Sequence, residues 1–309
     1  MSNGQGIFIV AGARTAIGTF GGALASFRPA ELGAIVIREA IDRAGIAGAD
    51  VQNVVIGTVV PTQPKDAYVS RVAAVNAGIP TDAPAMNVNR LCGSGLQAIV
   101  SAAQAIALGE HDVAVAGGAE SMSNAPHMVL SARNGQKMGN IEMVDAMLGA
   151  LHDPFENIHM GVTAENVAER CGISREEQDA VAVESHKRAA AAIAAGYFKE
   201  QIVPVEIKTR KGVTIFDTDE HVRADASLEG KSHARRERHQ GYLRDAHHPN
   251  ERGWRPLGCH GHGRTGRQRK DDRRSRSGED RQLGLRLGLR FLHHAMQFGH
   301  QWDSRAEAV

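Results

Sequence analysis

Cysteine is scarce in this chain, with only Cys92, Cys171 and Cys259 among 309 residues. Three thiols so widely spaced exclude a disulfide framework and suit a reducing compartment. Long apolar runs are lacking as well. No window approaches the roughly 18 apolar residues of a membrane-spanning helix. The opening residues, MSNGQGIFIV, have neither a basic n-region nor a long apolar core, which excludes a signal peptide. There are no internal repeats in the first 230 residues, and so no solenoid. What remains is a chain with no membrane partner, expected in the cytoplasm, and long enough for one large or two medium domains.

A balanced charge is lacking too, although the formal total of +1 conceals this. Residues 1–230 hold 18 Lys and Arg against 26 Asp and Glu, a net −8, whereas residues 231–309 hold 18 against 9, a net +9. The last 79 residues also carry 16 of the 28 arginines and 9 of the 15 histidines, with one valine and no isoleucine. Such a composition cannot build a sheet core. Three readings compete for it. One is a basic nucleic-acid arm, although it has no interleaved aromatics and no known motif. Another is a metal tract around Cys259-His-Gly-His262, which lacks a second ligand cluster at a usual spacing. The third is sequence never selected to fold.

The first 230 residues read as α/β. Gly6–Ala11 is expected as a buried strand, followed by a loop with Arg14, Thr15 and several glycines. Pro29 opens a helix with Leu32, Ile35, Val36 and Ala40 on one face, and Gly45 ends it. Strands are expected at Val54–Val60 and Asp112–Ala116, with a helix at Ser70–Ala77 between them. Apolar strands alternating with helices imply a parallel sheet covered by helices. Residues 120–163 are rich in Met, Asn, His and Gly and poor in periodicity, as in an excursion that covers a site. Ser174-Arg-Glu-Glu177 is a capping box whose helix should run to about Ala195. Ile202–Lys208 and Val213–Phe216 suggest a hairpin.

The chemistry centres on Pro84–Leu108, where Cys92 is followed at once by Gly93, Ser94 and Gly95, and then by a long helical pattern. A thiol at the mouth of a helix faces free backbone N–H groups and the positive end of the helix dipole, which favour an anion. A thiolate there is a nucleophile with part of an oxyanion site beside it. The commoner fate of a lone cysteine is a small core residue, and the flanking glycines argue against that here. A rival motif overlaps it. Gly93-Ser-Gly-Leu-Gln-Ala98 fits the dinucleotide fingerprint, with Glu120 at ribose-binding distance, which would make an NAD-binding oxidoreductase. The preceding Asn87-Val-Asn-Arg90 is a poor strand for that role.

From Asn87-Val-Asn-Arg-Leu-Cys-Gly-Ser-Gly-Leu-Gln-Ala98 the chain resembles the thiolases. The likeness extends through Arg14-Thr-Ala-Ile-Gly-Thr-Phe-Gly-Gly22, Ala116-Gly-Gly-Ala-Glu-Ser-Met122 and His159-Met-Gly-Val-Thr-Ala-Glu-Asn166 to Asp217-Thr-Asp-Glu-His-Val-Arg223. It covers about residues 6–230 and points to the bacterial acetyl-CoA acetyltransferases and 3-ketothiolases. Leu151-His-Asp-Pro-Phe155 leans toward ketothiolases that take longer 3-oxoacyl groups. The resemblance implies a layered α/β core half at 1–120, an inserted CoA-binding loop domain at 121–230, and a non-family tail at 231–309. It implies acyl transfer in fatty-acid metabolism, with acetyl-CoA, 3-oxoacyl-CoA and CoA as partners, no metal, no further cofactor and a homo-oligomeric family habit. Cys92 is then the nucleophile. Leu151, His159 and Met160 line the acyl and pantetheine pocket, and Arg223 packs on the adenine end. Outside the resemblance His159 is an ordinary hydrogen-bonded loop histidine and Arg223 a solvated charge.

The departures carry equal weight. The family's second half supplies Asn-Glu-Ala-Phe, a Gly-His-Pro histidine and a Cys-x-Gly-x-Gly cysteine, and none of these occurs here. The likeness stops at Gly230, where the Arg/His-rich stretch begins. A frame-shifted continuation explains this better than a functional tail, since selected sequence agrees with itself across levels. The catalytic second half is therefore expected to be absent, turnover negligible, apolar surface exposed and solubility poor.

Overall fold

The computed structural model describes residues 6–210 and 212–228. The basic stretch from 231 onward, with its nucleic-acid, metal and frame-shift readings, lies outside them. Among the described residues no helix is long and apolar enough to cross a membrane. In chain order the elements are β1 (Arg14–Thr15), α1 (Pro29–Ala44), β2 (Asn53–Gly57), α2 (Val69–Asn76), β3 (Ala85–Val88), α3 (Ser94–Ala107) and β4 (Ala114–Gly118). They continue with β5 (His127–Met128), β6 (Val144–Asp145), α4 (Ala146–Ala150), α5 (Met160–Cys171), α6 (Arg175–Ala194), β7 (Ile202–Val203), β8 (Val205–Thr209) and β9 (Gly212–Phe216). Two units divide them, residues 6–153 with 189–222, and residues 154–188 with 223–228. Sequence texture put a break at 120, whereas β5, β6 and α4 group with the first unit.

The first unit is organised on β2, the middle strand of a parallel sheet ordered β3-β2-β4. Its side chains alternate, so Val54 and Ile56 face one way and Val55 the other. Val54 and Ile56 pack with Ile37 and Ile41 of α1 and with Val69, Ala73 and Ala74 of α2. Val55 packs with Ala98 and Ala102 of α3. Helices thus cover both faces of the middle strand, as a parallel sheet requires. Val54 and Val55 are almost completely buried, and each removal from water contributes on the order of 1.5–3 kcal/mol.

Helix α1 begins as expected, with Pro29 in its first turn and the Glu31 carboxylate accepting the Arg28 N–H at 2.7 Å. Gly45, at φ 66°, ends it in the left-handed conformation. Its fully buried face is Leu32, Ile37 and Ile41, while Ile35, Val36 and Ala40 are only half-buried. The capping box of α6 also forms. The Glu177 carboxylate accepts the Ser174 N–H at 2.8 Å, and Ser174 Oγ accepts the Glu177 N–H at 3.2 Å.

Two expectations are corrected. Gly6–Ala11 is not a buried strand. Phe8, Ile9 and Val10 are 80%, 68% and 76% exposed, and no strand of the described residues lies beside them to take up their backbone hydrogen bonds. The apolar run signalled burial without naming a partner. The pairing falls instead on Arg14–Thr15, parallel to Ile202–Val203. That takes Ile202–Val203 out of the expected hairpin, which is confined to β8 and β9, antiparallel from Val205↔Phe216 to Thr209↔Gly212.

The segment after β9 closes the first unit onto its own beginning. The Asp219 carboxylate accepts both Arg14 guanidinium nitrogens, at 2.8 and 3.0 Å, and the Ile17 N–H at 2.8 Å. The Glu220 carboxylate accepts the N–H groups of Thr19 at 2.7 Å and Ala23 at 3.1 Å. Burial pushes the Glu220 carboxyl up, but those N–H bonds with Thr19 and Ala23 outweigh it and hold it below its ordinary value. A carboxylate lowered in the folded state stabilises the fold above its unfolded pKa, and that contribution is lost as pH falls through the folded value. Glu220→Gln is therefore expected to unfold at lower urea concentration than the wild type at neutral pH. The gap should close on acidification below the ordinary glutamate value of 4.5, as read by urea titrations at successive pH values.

Candidate active site

Helix α3 starts unusually close to the sheet because glycines line its path. A Cβ on Gly57, the last residue of β2, would lie 2.5 Å from the Ser94 carbonyl carbon and 2.7 Å from the Gly95 nitrogen. A Cβ on Gly118, at the end of β4, would lie 3.5 Å from the Gly95 Cα. The first turn of α3 therefore rests on the carboxyl ends of β2 and β4, with backbone against backbone.

The turn that enters this helix is strained. Leu91 has φ 48°, one of two non-glycine residues with positive φ among the described residues, and a left-handed backbone at a branched side chain costs on the order of 1 kcal/mol or more. Two polar side chains hold it. Asn89 Oδ1 accepts the Leu91 N–H at 2.9 Å. Ser94 Oγ accepts the Arg90 N–H at 2.9 Å and donates to the Leu91 carbonyl at 2.6 Å. Cys92 follows Leu91 directly and is exposed, so the buried-core reading of this thiol does not hold. The N–H groups of Gly95 and Leu96, in the first turn, have no hydrogen-bond partner among the described residues. A helix start is where a developing negative charge is favoured.

Glu120 does not serve the role that a dinucleotide fingerprint would give it. Its carboxylate accepts the N–H groups of Val59 at 2.7 Å and Val60 at 3.2 Å, just beyond β2. Burial pushes this carboxyl above its ordinary value, the charge of Asp66 adds to the rise, and the two N–H bonds offset only part of it.

The other expected site residues divide between the two units. Leu151 ends α4 in the first unit, half-buried. In the second unit His159 caps α5, its Nδ1 accepting the Gly161 N–H at 3.0 Å, and Met160 is the first residue of that helix, 41% exposed. Arg223 is not simply a solvated charge. Its backbone N–H donates to Nδ1 of the buried His186 at 3.3 Å, and its guanidinium stands 3.3 Å from Nε2 of the same ring. On the same helix, Ala180, Val183, Glu184 and Lys187 line an open cleft with Ser227 and Leu228, about 440 Å³ in volume. Asn89, Ser94 and the Glu120 tie were not singled out from sequence, nor were His186 and Lys187. For the first two a signal was present, because Asn and Ser flanking a cysteine turn are the residues that bond to their own backbone.

A parallel α/β unit with an exposed cysteine on a strained turn ahead of a helix is a scaffold able to present a nucleophile. The model of the thiolase N-terminal domain matches residues 7–235, and the chain belongs to the thiolase family. It is 64% identical over 223 residues to the beta-ketothiolase BktB of Cupriavidus necator, covering 72% of this chain and 57% of that protein. It is 47% identical over 226 residues to an acetyl-CoA acetyltransferase of Chromobacterium violaceum, with 72% and 57% covered. Among solved structures, the acetyl-CoA acetyltransferase of Bacillus anthracis superposes with a TM-score of 0.69 at 44% identity, covering 72% of this chain and 56% of that one. Human mitochondrial 3-ketoacyl-CoA thiolase in complex with CoA gives a TM-score of 0.69 at 38% identity, with 72% and 55% covered. The chain thus spans little more than half the length of the relatives it matches. Family membership removes the NAD-binding reading of Gly93–Ala98.

The glycine contact under α3 predicts a large effect from a small change. Gly57→Ala should destabilise the first unit by about 1–3 kcal/mol, because the added methyl meets backbone that cannot rotate away. Urea unfolding followed by circular dichroism measures the shift.

Proposed function

We propose that the chain carries the acyl-accepting half of a thiolase reaction, with Cys92 as the nucleophile. The observation that carries this is the exposed Cys92 on the strained Leu91 turn at the start of α3, in a chain of the thiolase family. The Cys92 thiolate attacks the thioester carbonyl carbon of an acyl-CoA, or the 3-oxo carbonyl carbon of a 3-oxoacyl-CoA, whose C2–C3 bond then breaks. The carbonyl electrons move to oxygen, where first-turn N–H groups of α3 stabilise the charge. Collapse of that intermediate breaks the bond to the leaving group and leaves Cys92 as a thioester. With acyl-CoA the leaving group is the CoA thiolate, which takes a proton from water. With 3-oxoacyl-CoA it is the acetyl-CoA carbanion, which needs a positioned acid.

Acylation from acetyl-CoA needs no such acid, and the residues that the resemblance assigns to proton transfer have no counterpart in this sequence. The proposal therefore separates the steps. Acylation of Cys92 proceeds, and thiolysis or condensation does not turn over. The cleft lined by Val183, Glu184, Lys187 and Leu228 offers apolar walls and one cation, Lys187, for an end of CoA, and the resemblance assigns Arg223 to the adenine end. The exposed, free thiol of Cys92 fits a cytoplasmic setting.

Incubating the full chain with acetyl-CoA should add one acetyl group to Cys92, detected by peptide mass spectrometry and absent in Cys92→Ser. Acetoacetyl-CoA should not be consumed. No adduct on Cys92 would refute the nucleophile, and steady acetoacetyl-CoA cleavage lost in Cys92→Ser would refute the restriction to acylation. Arg223→Ala should weaken CoA binding roughly fivefold, about 1 kcal/mol, by calorimetry, with the CoA-independent alkylation rate of Cys92 unchanged.

A further inference from the structure

A continuous path of hydrogen bonds joins a residue outside the nucleophile turn to Cys92. The Glu120 carboxylate accepts the Val60 N–H at 3.2 Å as well as the Val59 N–H at 2.7 Å. The carbonyl of the same Val59–Val60 peptide accepts Asn89 Nδ2 at 3.4 Å. The other end of that carboxamide, Oδ1, accepts the Leu91 N–H at 2.9 Å, and Leu91 is the left-handed residue whose carbonyl is bonded to Cys92. A carboxylate on the N–H side of a peptide strengthens its carbonyl as an acceptor, so the bonds reinforce one another. The backbone supports the path in parallel, since the Ala119 N–H donates to the Gly57 carbonyl at 3.0 Å and sets β4 against the end of β2 next to Glu120.

We propose that Glu120 is a positioning residue for Cys92, acting through the Val59–Val60 peptide and Asn89 to hold the Leu91 turn in its left-handed form. A polar group at this depth needs partners, and Glu120 could meet that need as a purely structural tie. What separates the two roles is whether Asn89 transmits the effect. The inference rests on Cys92 being the reactive thiol, but its test uses alkylation rather than acylation. Failure of the function and failure of the positioning are therefore read separately.

The test measures iodoacetamide alkylation of each cysteine by mass spectrometry in the full chain, across pH, with the exposed Cys171 as internal reference. Glu120→Gln keeps the shape and removes the charge. Asn89→Asp keeps the acceptor for Leu91 and removes the donor to Val59. Expected are a change of about threefold or more in the Cys92 rate in each single variant, with Cys171 unchanged, and little further change in the double variant, because coupled residues are non-additive. The midpoint of the Cys92 pH profile should move in Glu120→Gln and that of Cys171 should not. Equal Cys92 and Cys171 profiles in folded Glu120→Gln, or effects that multiply in the double variant, overturn the proposal. Should Glu120→Gln fail to fold, Asn89→Asp alone decides, and an unchanged Cys92 rate there overturns it.

Discussion

The absence of side-chain volume between α3 and the sheet is the constraint on which the rest depends. Gly57, Gly95 and Gly118 let the first turn of the helix sit directly on the ends of two strands. That contact fixes where the helix begins and therefore where Cys92 projects. It also brings the strand ends close enough for Glu120 to reach the backbone after β2 and for Asn89 to reach across to it. Bulkier residues would lift the helix, and the polar contacts around the cysteine would lose their length match. Packing and chemistry are thus one requirement here, met by residues that contribute no side chain.

Much of this was legible in the sequence. The α1 boundaries were marked by Pro29 and Gly45, the α6 start by Ser174 and Glu177, and the exposed turn ahead of α3 by Cys92 before two glycines. These are local signals, in which a residue's neighbours determine its conformation. What was not legible was long-range. An apolar run such as Ile7–Val10 says that burial is wanted, not whether a partner lies alongside. The pairing of Arg14–Thr15 with Ile202–Val203 joins positions that no local pattern relates. Arg223 was recognised by its motif, yet its partner His186 sits 37 residues away on a helix and had no signal of its own.

The two units place the expected ligand residues differently. The first holds Cys92, the proposed nucleophile, ahead of a helix set against strand ends through glycine contacts. The second offers helices with mostly exposed surfaces, a capped N-terminus at His159 and an open cleft between Lys187 and Leu228. Rigid support suits a reacting atom that must be held within a fraction of an ångström.

Asp219 and Glu220 hold Arg14, Ile17, Thr19 and Ala23 across more than 190 residues of chain. This has a consequence during protein synthesis. A ribosome adds about 5–20 residues per second, so the opening loop waits roughly 10–40 s for the carboxylates that fasten it. Through that interval Arg14 has no anionic partner from this source, and β1 lacks the strand it pairs with. The sheet around β2, whose members lie between residues 53 and 118, can assemble much sooner. The nascent chain therefore builds outward from the sheet around β2, and the loop at residues 14–23 is among the last segments to be secured.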